Sequence, residues 1–435
     1  MFVLSRKSIF TLIIVIIGLL LSSYLLANKK GSSYAIKEST YPKKIGFDDT
    51  EEKRKRFEEI NEDFLVNLRK FSINSASLTL SKVDKNRNSL YSPISLYMAL
   101  SMVAETAGGE TQKEILQALN MDNIQIVRSE TPKLFRRLYF DNQIGKLNLG
   151  NSLWLNKDIR FNNELLDLLA NEYYASSYSL DFAGKESSKE IGKWVSEQTG
   201  GKLGYELGEP KLSSDDVMTL INTVYFYDEW IDRFNIENTK EDNFYLGDGS
   251  IVKTDFMNMT YGSHWFLGVK GYTASLLNLK NSKSMIFILP DEGLSPYDIV
   301  SDKKLLDEAV NSIYSDKGQH GKVIFQIPKF KFSSSLNLIE TSQALGIKEA
   351  LENQADFTNL SDTKPLFISD IKQNSAISID EKGVEAAAYT EIGYAGAAQP
   401  DGIAEMILDR PFIFVITGVE GSPLFIGIIN NPNVE

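Results

Sequence analysis

A chain of 435 residues with a formal charge of −12 can build one large core or two. Its acidic balance argues against nucleic acid as a partner, because that needs a basic face. It has no cysteine, which removes disulfides, thiol nucleophiles and thiolate metal sites. Its two histidines, His264 and His320, lack a ligand-spaced partner. No metal and no cofactor is therefore expected, and both histidines read as structural or solvated.

Residues 9–27 form a nearly unbroken apolar run, with Arg6 and Lys7 before it and Lys29 and Lys30 after it. Nineteen residues at about 1.5 Å each just cross a bilayer core of about 30 Å. The run is longer than a usual signal core and lacks a clean small-x-small cleavage site. An uncleaved anchor and a cleaved signal both fit, and these features favour the anchor. Residues 1–27 are thus read as signal or anchor and the rest as exported. Residues 28–53 are polar and read as a flexible linker, leaving 54–435 as the globular domain.

Phe57, Ile60, Phe64, Leu68 and Phe71 recur at helical spacing. Ser92-Pro93 opens a second apolar helix through Met98, Leu100 and Val103. Thr111 and Glu114 have the spacing of a capping box before Ile115. Leu147 to Leu155 alternates as a strand with Asn151 on its inward row. Residues 161–178 and 187–198 read as helices, and 217–227 as a strand carrying Asn222. Later strands are expected at 284–289, 322–332, 411–418 and 424–429. Helices in the first half and strands in the second give an α+β fold, without the regular alternation of a parallel α/β sheet.

Residues 377–399 combine strand and loop character. Val384, Ala386, Ala388, Thr390, Ile392 and Tyr394 share one parity, while Glu385 and Glu391 lie on the other. Alanines and glycines fill an ordinary strand poorly. One reading is a loop that becomes a strand in a second state. The other is a small-residue surface loop whose alternation is accidental. Catalytic motifs are missing: there is no G-x-S-x-G elbow, no Walker loop and no H-E-x-x-H. Asp215-Asp216 and Asp291-Glu292 sit in polar turns. The chain is not expected to be an enzyme.

At this point the motifs resemble a known family. From residue 56 to 435 the chain is similar to the serpins, of the bacterial type. The resemblance is carried by Asn88 to Leu119, Gly150-Asn151, Thr199 to Lys202, and Asn222 ahead of Phe226 and Trp230. It continues through Leu289-Pro290, Ile327 to Phe330, Leu345-Gly346 and Ala355 to Phe357. Pro411-Phe412-x-Phe414, Ser422 to Gly427 and Asn431-Pro432 complete it. The resemblance implies three β-sheets with about nine helices and an exposed reactive-centre loop over about 383–410. It implies a suicide substrate: a serine protease cuts the loop, which then enters the main sheet as a new strand and traps the acyl-enzyme.

By that resemblance Gly383, Val384, Glu385, Ala386, Ala387 and Ala388 form the hinge. The family's spacing puts the reactive bond between Ala397 and Ala398, within about three positions. Small residues there, and no Arg or Lys between Glu385 and Glu405, point to an elastase-like partner. Ser92, Ser95, Asn222 and Gln373 match the family's gate cluster, with Gln373 where a histidine is usual. Capping alone is the other reading of Ser92 and Ser95. Tyr389 is bulky where small residues are usual, and Asp228 stands where glycine is common. The expected protein is an extracellular monomer, secreted or held by its N-terminal segment on the outer face of the cytoplasmic membrane. A non-inhibitory member, cleaved or binding at its surface, is the alternative.

Overall fold

The structure is a computed structural model that describes residues 34–203, 218–384 and 402–434. The apolar run at 9–27 lies outside them, as do Glu385, Ala386, Ala387, Ala388, Tyr389, Ala397 and Ala398. No helix among the described residues is long and apolar enough to cross a membrane.

The chain begins with β1 (Ala35–Lys37) and α1 (Thr50–Arg56). Then come α2 (Glu62–Leu80), β2 (Ser89–Tyr91), α3 (Pro93–Thr106), α4 (Gly109–Ala118) and α5 (Ile124–Leu138). Next are β3 (Phe140–Asp141), β4 (Lys146–Asn156), α6 (Asn163–Glu172), β5 (Ala175–Leu180) and α7 (Lys185–Gln198). Strands dominate afterwards: β6 (Met218–Glu229), β7 (Lys240–Tyr245), β8 (Ile251–Val269), β9 (Tyr272–Asn278) and β10 (Ser284–Pro290). Two short helices, α8 (Pro296–Ser301) and α9 (Lys303–Val310), precede β11 (Gln319–Pro328) and β12 (Phe330–Asn337). After α10 (Ile339–Ala344) come β13 (Ile368–Asp380), β14 (Gly383–Val384), β15 (Ile403–Ile407), β16 (Phe412–Val419) and β17 (Ser422–Ile429).

One sheet has the order β1-β5-β4-β6-β14-β13-β12. The second ladder, β15-β11-β8-β9-β10-β16-β17-β2, consists of two leaves that share the long β8. Its residues 251–266 pair with β7 and β11, and 266–269 pair with β9. The described strands thus form two hydrogen-bonded sheets, the second bending along β8. Every residue of α3 is buried, so this helix is covered all round rather than on one stripe. Ser92 caps it, with Pro93 at its first turn.

Four local expectations fail. Residues 34–53, read as part of a flexible linker, pack on the body: β1 extends the main sheet by pairing with β5. The Ser39 amide donates to Ser176 Oγ at 3.0 Å. Tyr41 stacks on Phe135 and Tyr139 and donates to Gln198 Oε1 at 3.0 Å. The helix expected from Phe57 starts at Glu62 behind the Asn61 cap, and Phe57 is exposed. Thr111 and Glu114 make no capping box. Thr111 Oγ1 accepts from the Asp356 amide, and Glu114 Oε2 from the Lys348 and Glu349 amides. The helix expected over 161–178 stops at Glu172, and the rest is β5, whose 175–180 register on β4 overrides the apolar spacing.

The arm makes a direct prediction. Tyr41→Ala removes a half-buried ring from a three-ring stack and one hydrogen bond. It is expected to cost about 2 kcal/mol, read as a lower urea midpoint.

Candidate functional site at the fork of the main sheet

Strands β6 and β13 run side by side and parallel, in register from Met218–Ile368 to Tyr225–Ala376. There the direct pairing stops. Higher up, β14 lies between them and antiparallel to both. Val384 pairs with Ile379 and Asp228, and Gly383 with Asp380 and Glu229. The two strands thus form a fork with a wedge of two residues at its mouth. Below the wedge, the pairings of Phe226 and Tyr227 on one arm and of Ile377 and Ser378 on the other are, among the described residues, with their outer neighbours only. A cavity of about 330 Å³ opens there, lined by Tyr225, Ala376, Ile377 and Ser378, with Lys202 and Phe332 at its sides.

Residue types explain the wedge. Val384 is apolar, β-branched and fully buried. A Cβ on Gly383 would lie 2.7 Å from Glu229 Cα and still closer to the Asp228 carbonyl oxygen. Only glycine lets two backbones approach this closely. The turn before it is held from below. Asp380 Oδ1 accepts from the Lys382 amide at 2.8 Å. The Trp230 amide donates to the Lys382 carbonyl at 3.0 Å, and its indole to the Asp380 carbonyl at 3.0 Å. Glu381 meets Thr239 Oγ1 at 2.8 Å and Lys329 at 3.2 Å.

Asp228, fully buried at the end of β6, braces the fork from behind. It accepts from Asn281 N at 3.0 Å and Asn281 Nδ2 at 2.9 Å. Beside it, Glu229 pairs with Arg233 at 2.6 Å and Lys280 at 2.7 Å. Burial pushes the Asp228 carboxyl up to about 6, against the pull of the Asn281 bonds. Between about pH 4 and 6 the folded protein therefore holds a proton that the unfolded chain releases. This stabilisation, on the order of 2–3 kcal/mol, is full below about pH 4 and is lost as pH rises through about 6. Asp228→Asn is expected to melt higher than the parent at pH 7, with the gap closing by pH 4. Thermal scans across that range check it.

Lower on the seam, Gln373 clamps the start of α3. The Ser92 amide donates to Gln373 Oε1 at 2.7 Å, and Gln373 Nε2 donates to the Ser92 carbonyl at 2.9 Å. Ser92 Oγ also accepts from the Ser95 amide at 3.4 Å. The structure thus brings Ser92, Ser95 and Gln373 together, and Ser92 both caps its helix and holds the seam. Asn222 is level with Gln373 on the neighbouring strand, but its Nδ2 donates to Asn151 Oδ1 at 2.6 Å. Asn151 and Trp230 belong to the motifs that carry the resemblance, but their bonds to Asn222 and Asp380 were not anticipated. The inward asparagine of β4 was the one available signal. His264 stacks on Tyr261 and bonds the Leu276 carbonyl at 2.7 Å, away from the fork, and His320 is exposed.

The main sheet is thus forked at one end, with Gly383 and Val384 lodged in the fork. The family model described as "Serpin (serine protease inhibitor)" matches residues 67–432, and the chain belongs to the serpin family. It is 28% identical over 379 residues to alpha-1-antiproteinase of Rattus norvegicus, covering 84% of this chain and 90% of that protein. The native-state crystal structure of the thermophilic serpin tengpin superposes with a TM-score of 0.77 at 27% identity. That match covers 92% of this chain and 100% of the other. Thyroxine-binding globulin in complex with thyroxine matches with a TM-score of 0.71 at 25% identity, covering 83% and 99%.

Proposed function

We propose that this serpin is a suicide-substrate inhibitor of a serine protease with an elastase-like preference for small residues. The protease would attack the carbonyl carbon of Ala397 and release Ala398 as the new N-terminus. The freed arm would then fill the seam between β6 and β13. The observation that carries this reading is the fork, with Val384 seated in it and, among the described residues, a space below it. Length agrees: about fourteen residues from Val384 to Ala397 would give a strand of about 46 Å. The flanking strands have 12 and 13 residues. New backbone bonds at about 0.5–1.5 kcal/mol each sum to the order of 10 kcal/mol, enough to prevent reversal. In this reading Glu385, Ala386, Ala387 and Ala388 follow Val384 into the seam, and small residues on the inward parity avoid overpacking. The protein acts as an extracellular monomer, with residues 9–27 as signal or membrane anchor.

Mixing the full chain with pancreatic elastase tests this on a denaturing gel. The expected result is an SDS-stable adduct and a released fragment whose N-terminus lies within about three residues of Ala398. Clean cleavage without an adduct would instead support a non-inhibitory member, a reading suggested by the similarity to thyroxine-binding globulin.

A further inference from the structure

A second cavity, of about 360 Å³, lies between the N-terminal arm and the back of the fork. Its charged lining comes from four places: Lys53 and Arg56 on α1, Arg136 and Arg137 at the end of α5, Lys283 in the β9–β10 turn, and Glu420 after β16. Five cations thus face one acid, in a chain whose net charge is −12.

Two of the cations are matched. Arg136 pairs with Glu58 at 2.6 Å, and Arg137 with Glu420 at 3.1 Å. Lys53, Arg56 and Lys283 have no ion pair among the described residues; each donates to a carbonyl oxygen, and Lys53 also lies over the Phe47 ring at 4.6 Å. Lys53 donates to Phe47 at 2.6 Å, Lys283 to Gly418 at 3.0 Å, and Arg56 to Lys43. Burial, and then the like charge of Arg137, pushes the Lys283 ammonium down to about 8, against the pull of the Asp228 carboxylate. One carbonyl uses one of its three donors and cancels none of its charge. The walls between these charges are aromatic. Phe57 carries Arg137 over its face at 4.0 Å, and Tyr139 and Phe140 stand beside it.

We propose that this cavity is a binding site for a small aryl carboxylate, with its carboxylate on Lys283 and its ring against Phe57, Tyr139 and Phe140. A concave site that sets convergent cations against the rings of Phe57, Tyr139 and Phe140 suits a compact ligand with one anionic and one aromatic end. A sulfated polysaccharide would instead need exposed cations spaced along an open face. The site also reaches the fork. Lys280 and Asn281, in the same turn as Lys283, hold Glu229 and Asp228. A ligand that steadies this turn therefore braces the end of β6.

Calorimetric titration of the full chain with 3-phenylpropionate at pH 7 tests the site, with 3-phenylpropanamide as the uncharged control. The expected result is saturable binding by the acid, at least about tenfold weaker binding by the amide, and a higher melting midpoint with the acid. Lys283→Gln is expected to weaken the acid at least about tenfold while the far-ultraviolet dichroism is unchanged. Arg56→Gln, on the rim, is expected to weaken it a few-fold, and it decides the matter if the first variant does not fold. No saturable heat up to about 10 mM, equal affinity for acid and amide, or unchanged affinity in both variants would each overturn the site. So would displacement of the acid by a heparin oligosaccharide whose binding Lys283→Gln leaves intact. None of these readouts involves a protease, so the loop-trapping proposal can fail without touching this one.

Discussion

Replacing Val384 by glutamate is expected to abolish the covalent adduct with elastase while loop cleavage continues at its normal rate. Val384 is fully buried between β6 and β13, directly across from Asp228. Residues opposite each other on paired strands share a face, so a carboxylate here would meet another carboxylate. Burying a charge without a partner costs several kcal/mol. An acid is a sharper test than arginine, which Asp228 could pair with and so rescue. Trapping requires the loop to enter the seam before water frees the acyl-enzyme. About 3 kcal/mol added to that step slows it by about a hundredfold, so hydrolysis wins. Gel densitometry at fixed protease should show the adduct band replaced by cleaved serpin. An undiminished adduct would mean that Val384 is not the leading residue of insertion.

Gln373→Ala is expected to have the second largest effect, on the native state itself. It removes both bonds that hold Ser92 to the seam. The Ser92 carbonyl keeps the Leu96 amide at 3.3 Å, but its own amide is left buried without that acceptor. An orphaned donor and the emptied side-chain volume together cost roughly 3 kcal/mol. A lower urea midpoint, and faster loss of adduct-forming capacity on warming, would report it. Gln373→Glu adds a signature that simple damage would not produce. An ionised carboxylate can accept from the Ser92 amide but faces the Ser92 carbonyl with a lone pair, whereas the protonated acid can donate. This variant should therefore be weak at pH 7 and recover as pH falls towards 5. A parallel response in Gln373→Ala would show that the clamp is not the cause.

Much of the fold was legible because long segments keep one period. The strands at 146–156 and 218–229 and the helix at 185–198 follow their apolar spacing closely. The failures share a physical cause, which is that distant contacts outvoted local patterns. Thr111 and Glu114 have capping chemistry, yet they serve amides more than 230 positions away. Residues 175–178 look helical by spacing and become a strand because β4 offers an edge. The arm at 34–57 escaped notice because β1 has only three residues and its hold comes from Tyr41. At the fork, Gly383, Val384 and Gln373 could be named from motif order. The partners of Asn222 and Asp228 could not, since Asn151 and Asn281 are brought in by sheet pairing and by a turn from another sheet.

The direction of the strands at the fork carries a further consequence. β6 and β13 are parallel, and the wedge that separates them is antiparallel to each. Every residue that follows the wedge would exchange one slanted ladder for two straight ones, and the straight kind is the firmer per residue. If the loop inserts as proposed, the exchange would run downhill at each step, and a molecule that had closed its seam would be spent. Protection would then be counted in copies made, one for each protease silenced, and renewed only by synthesis.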